Sequence, residues 1–226
     1  MNADKLIGFR QTAYKCLGRA QDAMFELKDA ILSSPRVNSF AELSCSPLFR
    51  RQWSSLYEAL QDSRPQRRKL MRLYIEQMRP GERPVIAGDH TLWARPYAMT
   101  LQERTYEHQA TMLGNRPVGV GQGWSTLVWI PAIGSSWALP LRHERITSFE
   151  SPISKVPHLG TAKQAERWSD LMPLLSWQLW LARDLVTDRP LPWQKPQAHL
   201  TPGQVAQAMS ALFTQLGTPA QASKPR

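Results

Sequence analysis

The chain of 226 residues is long enough for one large domain or two small ones, and its 42% hydrophobic content excludes disorder along the whole length. A formal charge of +10 gives a positive field that favours nucleic acid or an anionic membrane surface over a neutral small molecule. Cys16 and Cys45 stand alone, without Cys-x-x-Cys spacing or clustered histidines, which argues against a disulfide framework and a structural zinc site.

The opening residues Met1-Asn2-Ala3-Asp4-Lys5 form no secretory apolar region. The longest apolar-rich stretch, 171–182, contains Pro173, Ser176 and Gln178 and is too short to span a bilayer, so the expectation is a cytoplasmic protein with no membrane partner.

Apolar residues at Leu6, Phe9, Ala13, Leu17, Ala20, Met24, Leu27 and Ile31 recur at steps of three and four, predicting an amphipathic helix over 4–32 that Gly8 and Gly18 weaken slightly. Ser33-Ser34-Pro35-Arg36 breaks the pattern, and Asn38 or Ser39 caps a short helix through residue 43. A helix over 48–60 carries Phe49, Trp53, Leu56, Tyr57 and Leu60 on one side. Another begins at Ser63 ahead of Pro65 and runs through residue 78. On it, Arg64, Arg67, Arg68, Lys69 and Arg72 fall at spacings that gather several on one exposed face. Such a charge run is ordinarily a solvated surface; as a nucleic-acid-binding patch it would contact phosphates, which positions a protein on DNA without reading sequence.

After Pro80-Gly81 the pattern turns to extended runs over 84–87, 123–132 and 136–141. The last two, joined at Gly134-Ser135, predict an antiparallel hairpin beside the first run. The polar stretch 101–113, with Glu103, Arg104, Glu107 and His108, reads as loop or marginal helix. Gly119-Val120-Gly121-Gln122-Gly123 lacks the Lys-Ser/Thr ending of a phosphate loop and reads as a flexible turn. The nine tryptophans lie mostly in apolar contexts, where core packing is the expectation.

Asp89, in Val85-Ile86-Ala87-Gly88-Asp89-His90-Thr91, closes an apolar run and precedes polar residues, the placement of a metal-binding carboxylate at a strand tip. An Asp after Gly is also a common turn residue that bonds its own backbone. Histidines 90, 108, 143, 158 and 199 are scattered without metal-ligand spacing.

From Thr161 the chain is helical again, with Trp168, Leu171, Leu174, Leu175, Leu179, Ala182 and Val186 on a heavily apolar face that Trp177 and Trp180 broaden. Thr201-Pro202-Gly203-Gln204 reads as the N-terminus of a last helix to about residue 216, and 217–226 as a disordered tail.

Ala87-Gly88-Asp89-His90-Thr91 with Trp93 and Arg95, then Arg104-Thr105-Tyr106-Glu107-His108, then the stretch 121–131 together resemble bacterial insertion-sequence DDE transposases. Glu166-Arg167-Trp168-Ser169-Asp170-Leu171 and Leu191-Pro192-Trp193-Gln194-Lys195-Pro196 resemble that family's C-terminal region. The resemblance implies an RNase H-like domain in which two aspartates and a glutamate hold divalent ions, Mg²⁺ by expectation, for hydrolysis and strand transfer at transposon ends. Asp89 matches the first aspartate, so the resemblance makes it the catalytic and metal-binding residue; motifs for the second aspartate and the glutamate are not found. Near His158-Leu159-Gly160-Thr161 the resemblance passes directly from the end of the first sheet to the last helices, as an internal deletion would leave it. Asp170, Asp184, Asp188, Glu144 and Glu150 are the acids available for an improvised triad. Two ions roughly 4 Å apart demand closely held ligands, so these acids read as surface and cap residues.

The sequence thus predicts an α+β, mostly helical chain: a partial RNase H-like fold with a three-stranded antiparallel sheet between N- and C-terminal helices. Its parts are an N-terminal helical region (1–80), the first part of the DDE domain (81–160), a C-terminal helical remnant (161–216) and the tail (217–226). The implied partners are DNA at transposon ends and full-length transposase subunits. The implied function is that of a truncated, catalytically inactive transposase, or alternatively of a non-catalytic DNA-binding fragment that modulates the full-length enzyme.

Overall fold

Gly18 divides what the sequence presents as one long helix. The computed structural model describes residues 3–79, 81, 83–98, 104–113, 116–132, 134–146, 162–188, 190 and 199–222, with backbone alone at 105–113, 116–118, 162 and 163. Helix α1 (Ala3–Cys16) ends ahead of Gly18, and α2 (Gln21–Ser33) starts after Ala20. Gly18 has φ +70°, and a Cβ there would lie 2.3 Å from the Arg64 carbonyl oxygen. The turn is therefore built against a neighbouring backbone, a contact sealed by the Gln66 N–H donating to the Cys16 carbonyl at 2.8 Å. Local periodicity continues through the break because Leu17 and Ala20 remain apolar; the tertiary contact is what requires it.

Three shorter helices follow: α3 (Phe40–Ser44), α4 (Ser54–Asp62) and α5 (Arg67–Ile75). The Ser39 side chain accepts from the Glu42 N–H at 3.1 Å, the N-cap the sequence predicts. Helix α5 begins after Gln66, later than the Ser63 start expected, since Pro65 holds its predecessor extended. Helix α6 (Ala162–Ala182) is followed by α7 (Pro202–Leu216). Helix α7 opens on a capping box: Thr201 N–H donates to Gln204 Oε1 at 2.9 Å, and Gln204 N–H to Thr201 Oγ1.

The helices from both ends of the chain share one core. Leu6, Met24, Phe25, Leu27, Leu56, Leu171, Leu174, Trp177 and Met209 are fully buried within it. Inside sits a charged cluster: Arg10 binds Asp29 through two hydrogen bonds of 2.9 Å, and the Lys28 ammonium lies 3.0 Å from Asp29 and 2.5 Å from Gln178 Oε1. Burial drives the Lys28 ammonium down to about 7, opposed by the Asp29 charge. Arg10 also donates to the Gly217 carbonyl at 3.0 Å, and Arg50 to the Ala220 carbonyl at 2.7 Å. Residues 217–222, expected to be disordered, are therefore seated, with Ala220 buried; residues 223–226 lie outside the described residues.

The sheet is antiparallel throughout and organised by one long strand. Strand β3 (Arg116–Ile130) pairs with β1 (Val85–Ala94), β2 (Thr105–Leu113) and β4 (Leu139–Arg145). Gly121 is opposite both Ala94 and Thr105, so β1 takes one edge of β3 while β2 and β4 follow one another along the other. A Cβ on Gly121 would fall 2.1 Å from the Trp93 carbonyl oxygen, so this junction requires glycine. Two expectations are corrected here. Residues 105–113 form a strand rather than a loop, adding a fourth strand to the three expected, and 119–123 continue β3 rather than turning. In both places the pairing partner, not local apolar pattern, fixes the backbone. The hairpin of β3 with β4 beside β1 is as the sequence reads.

Sheet and helices meet through aromatics. Trp177 of α6 stacks on Trp129 of β3 and on Tyr74 of α5, with ring centroids 5.8 Å apart in each case. Its indole N–H donates to the Pro140 carbonyl at 2.7 Å, and that of Trp137 to the Leu200 carbonyl at 2.9 Å. Trp124, Trp129, Trp137 and Trp177 are buried, as their apolar contexts predict, whereas Trp53 and Trp93 are exposed.

Candidate functional site

Asp89 is the fifth of ten residues in β1, not its last. Pairing with β3 carries the strand on through His90, Thr91 and Leu92 to the Ala94–Gly121 pair. The polar residues after Asp89 do not end the strand, because β1 is an exposed edge that polar side chains tolerate. The Asp89 carboxylate is exposed and accepts from the adjacent His90 N–H at 2.8 Å, the local self-bonding typical of Asp.

Opposite Asp89 across the ladder is Thr126, and opposite Thr126 on β4 is His143. Directly paired residues share a face, so the row reads Asp89, Thr126, His143, spanning about 10 Å over two strand spacings. Thr126 Oγ1 and His143 Nδ1 are 2.8 Å apart, and the imidazole stacks on Trp124 with centroids 4.8 Å apart. Burial, with the Arg67 charge as a lesser cause, holds the His143 imidazole below its ordinary range.

A two-ion Mg²⁺ centre needs several carboxylate oxygens converging on one point. The row beside Asp89 supplies a hydroxyl and an imidazole instead. The other acids are engaged elsewhere: Asp170 with Arg67, Glu144 with Arg142, Asp184 with Arg183, and Asp188 as acceptor from Gln204. Among the described residues no three His, Cys, Asp or Glu side chains gather as a metal site, so this donor set does not fit two ions. Glu150 lies outside the described residues.

The five basic residues of the predicted patch divide by role. Arg64 folds back onto the end of α4, its Nη1 donating to the Ser63 carbonyl at 2.8 Å and the Asp62 carbonyl at 3.1 Å. Arg67 donates two hydrogen bonds to Asp170, of 2.7 and 3.0 Å, and also lies 3.5 Å from Glu166. Burial pushes the Asp170 carboxyl up, and the Arg67 bonds offset part of that. Arg68, Lys69 and Arg72 are exposed and form no ion pair with a described residue. Sequence spacing placed all five on one helix; it did not show that α6 would claim Arg67 or that the α4 carbonyls would claim Arg64.

Fold and site together define a basic α+β protein whose antiparallel sheet, set between helical ends, carries an aspartate on its first strand. The family model of the DDE superfamily endonucleases matches residues 12–209, and the chain belongs to that family. No curated protein and no solved structure gives a match. Among the described residues no helix is long and apolar enough to cross a membrane.

Proposed function

We propose that this chain is a transposase-family protein of a mobile insertion element that retains DNA binding and lacks strand-transfer chemistry. The observation that carries the reading is the company Asp89 keeps: Thr126 and His143 in its row, and its own His90 N–H as hydrogen-bond donor. A lone exposed carboxylate holds Mg²⁺ weakly, and among the described residues no three His, Cys, Asp or Glu side chains gather as divalent-metal chemistry of the family kind requires. The absence of the second aspartate and glutamate motifs, and the direct passage near residue 160 from sheet-like to C-terminal text, support an internal deletion. Cleavage of donor DNA with Mg²⁺ or Mn²⁺, compared between the natural chain and Asp89→Ala, tests this. Cleavage that depends on Asp89 overturns it.

Arg68, Lys69 and Arg72, exposed and without an ion pair among the described residues, favour a more specific role: a non-catalytic fragment that occupies transposon ends and modulates full-length transposase. Each phosphate contact contributes about 0.9 to the slope of log K against log salt, so replacing all three by Ala lowers the slope by about 2 to 3. Mobility shifts on element ends across a salt series measure this; an unchanged slope removes α5 from the DNA interface.

A further inference from the structure

Strand β1 is an edge of the sheet: among the described residues only β3 pairs with it, and its side chains are exposed from Val85 to Thr91 and again at Trp93. The Arg95 N–H donates to the Val120 carbonyl at 2.9 Å, which fixes the alternation of the ladder. Residues 87, 89, 91 and 93 turn their backbone groups toward β3, and those of Ile86, Gly88, His90, Leu92 and Ala94 point outward. Proteins ordinarily guard such an edge with lysine, proline or a bulge, and β1 has none of these. Instead Val85, Ile86 and Trp93 stand 48%, 42% and 39% exposed. An unguarded edge of this length is a template for another strand.

The order of residues along β1 favours a second copy of the same strand. In an antiparallel pair, outward-facing residues oppose only outward-facing ones, so two copies related by a twofold axis align about a residue and not between two. Centring on Asp89 sets that carboxylate against itself and Ile86 against Leu92. Centring on His90 sets Ile86 opposite Ala94, Ala87 opposite Trp93, Gly88 opposite Leu92 and Asp89 opposite Thr91. The bulky apolar side chains then each meet a small residue, and the carboxylate meets a hydroxyl that can donate to it. Trp93 is already held for this contact by the Arg95 guanidinium, 4.5 Å from its ring centroid. Since β1 itself carries no Lys or Arg, a nucleic-acid backbone finds no cation along the strand, and two chains of formal charge +10 can approach there with little local repulsion.

We propose that the free edge of β1 is a homodimer interface, at which two copies pair antiparallel about His90 and continue the sheet across a twofold axis. The outward-facing residues of the two strands exchange about ten ladder hydrogen bonds, and Asp89 of each copy lies beside Thr91 of the other. The interface forms without DNA and does not use Arg68, Lys69 or Arg72.

The test is sedimentation velocity of the full chain without DNA, from about 1 to 100 µM, the range expected of an interface made by one strand pair. The natural chain passes from monomer to dimer across that range. Gly88→Pro removes an outward N–H and keeps the bonds to β3, and a Cβ there meets only Leu127 Cδ1 at 3.9 Å and the Thr126 carbonyl oxygen at 4.0 Å. This variant dimerises at least 10-fold more weakly. Because the twofold axis repeats each contact, Thr91→Asp weakens the dimer about 10-fold at low salt and Thr91→Lys tightens it, opposite signs that a general loss of folding does not produce. In a Cys45→Ser background, His90→Cys forms a covalent dimer on oxidation and Ile86→Cys does not, since only residue 90 meets its own copy. A chain that stays monomeric throughout overturns the proposal and leaves the edge to a foreign strand. A dimer indifferent to Gly88→Pro and to both Thr91 variants overturns it in favour of another surface, and one that Ile86→Cys links but His90→Cys does not overturns the register.

Discussion

Lys28 is the most exposing test of the core, because its burial is complete and its consequence can be worked out. In the unfolded chain the ammonium holds its proton to about 10.5, and in the core to about 7. At 1.36 kcal/mol for each tenfold change, charging Lys28 in the folded state costs up to ~5 kcal/mol, an upper limit since the cluster can relax. The sign follows from proton counts. Between pH 7 and 10.5 the unfolded chain holds the Lys28 proton and the folded chain does not, so stability rises with pH across that window and the penalty is fully present below it. Lys28→Met keeps length and volume while removing the charge, and Arg10 still pairs with Asp29 through both of its hydrogen bonds. The variant gains most over the natural chain at pH 6 to 7, and its advantage shrinks steadily toward pH 10. Urea unfolding of both proteins at half-unit pH steps measures the difference, in which the titrations of all other groups cancel. Parallel stability curves from pH 7 to 10 refute the argument, and a variant less stable than the natural chain at pH 6.5 shows that the contact with Gln178 outweighs the buried charge.

Three further outcomes are expected. Gly18→Ala combines a left-handed backbone with a Cβ 2.3 Å from the Arg64 carbonyl oxygen, and lowers stability by about 2 kcal/mol or more in chemical denaturation. Arg67→Ala strands the buried Asp170 carboxylate, whereas Arg67→Ala with Asp170→Asn restores part of the loss; a double-mutant cycle gives a coupling of about 1 to 3 kcal/mol, and a value near zero shows the pair to be incidental. His143 stays neutral to a pH below the ordinary histidine range, so its ring resonances titrate late on acidification, and Arg67→Ala moves that titration up by removing the facing charge.

The helical parts of this fold are legible because their cause is local. The three-and-four spacing of Leu6, Phe9 and Ala13, the Ser39 cap and the Thr201-Gln204 box each act within one or two turns of chain. Gly18 is different: its positive φ answers to the Arg64 carbonyl, 46 positions later, and nothing beside Gly18 announces that contact. Residues 105–113 read as loop for a similar reason, since their ladder partner is a strand that follows them in the chain. Asp89 is recognisable as a strand residue, but β1 runs past it because β3 is long enough to keep pairing. The row of Asp89, Thr126 and His143 was the least legible feature. Its residues come from three strands, and a histidine without metal-ligand spacing carries no signal until the fold sets a threonine beside it.

The Arg10 contact with the Gly217 carbonyl joins positions 207 apart in sequence. Closing so long a loop costs roughly 5 kcal/mol in chain entropy, and it cannot be completed until residue 217 has been synthesised. Helices α1 and α2 therefore leave the ribosome with part of their inward faces uncovered and wait for α7 to complete the cover. A ribosome stalled before residue 202 would hold a chain in which the surface of α2 that α7 covers is still bare, making it a ready client for chaperones.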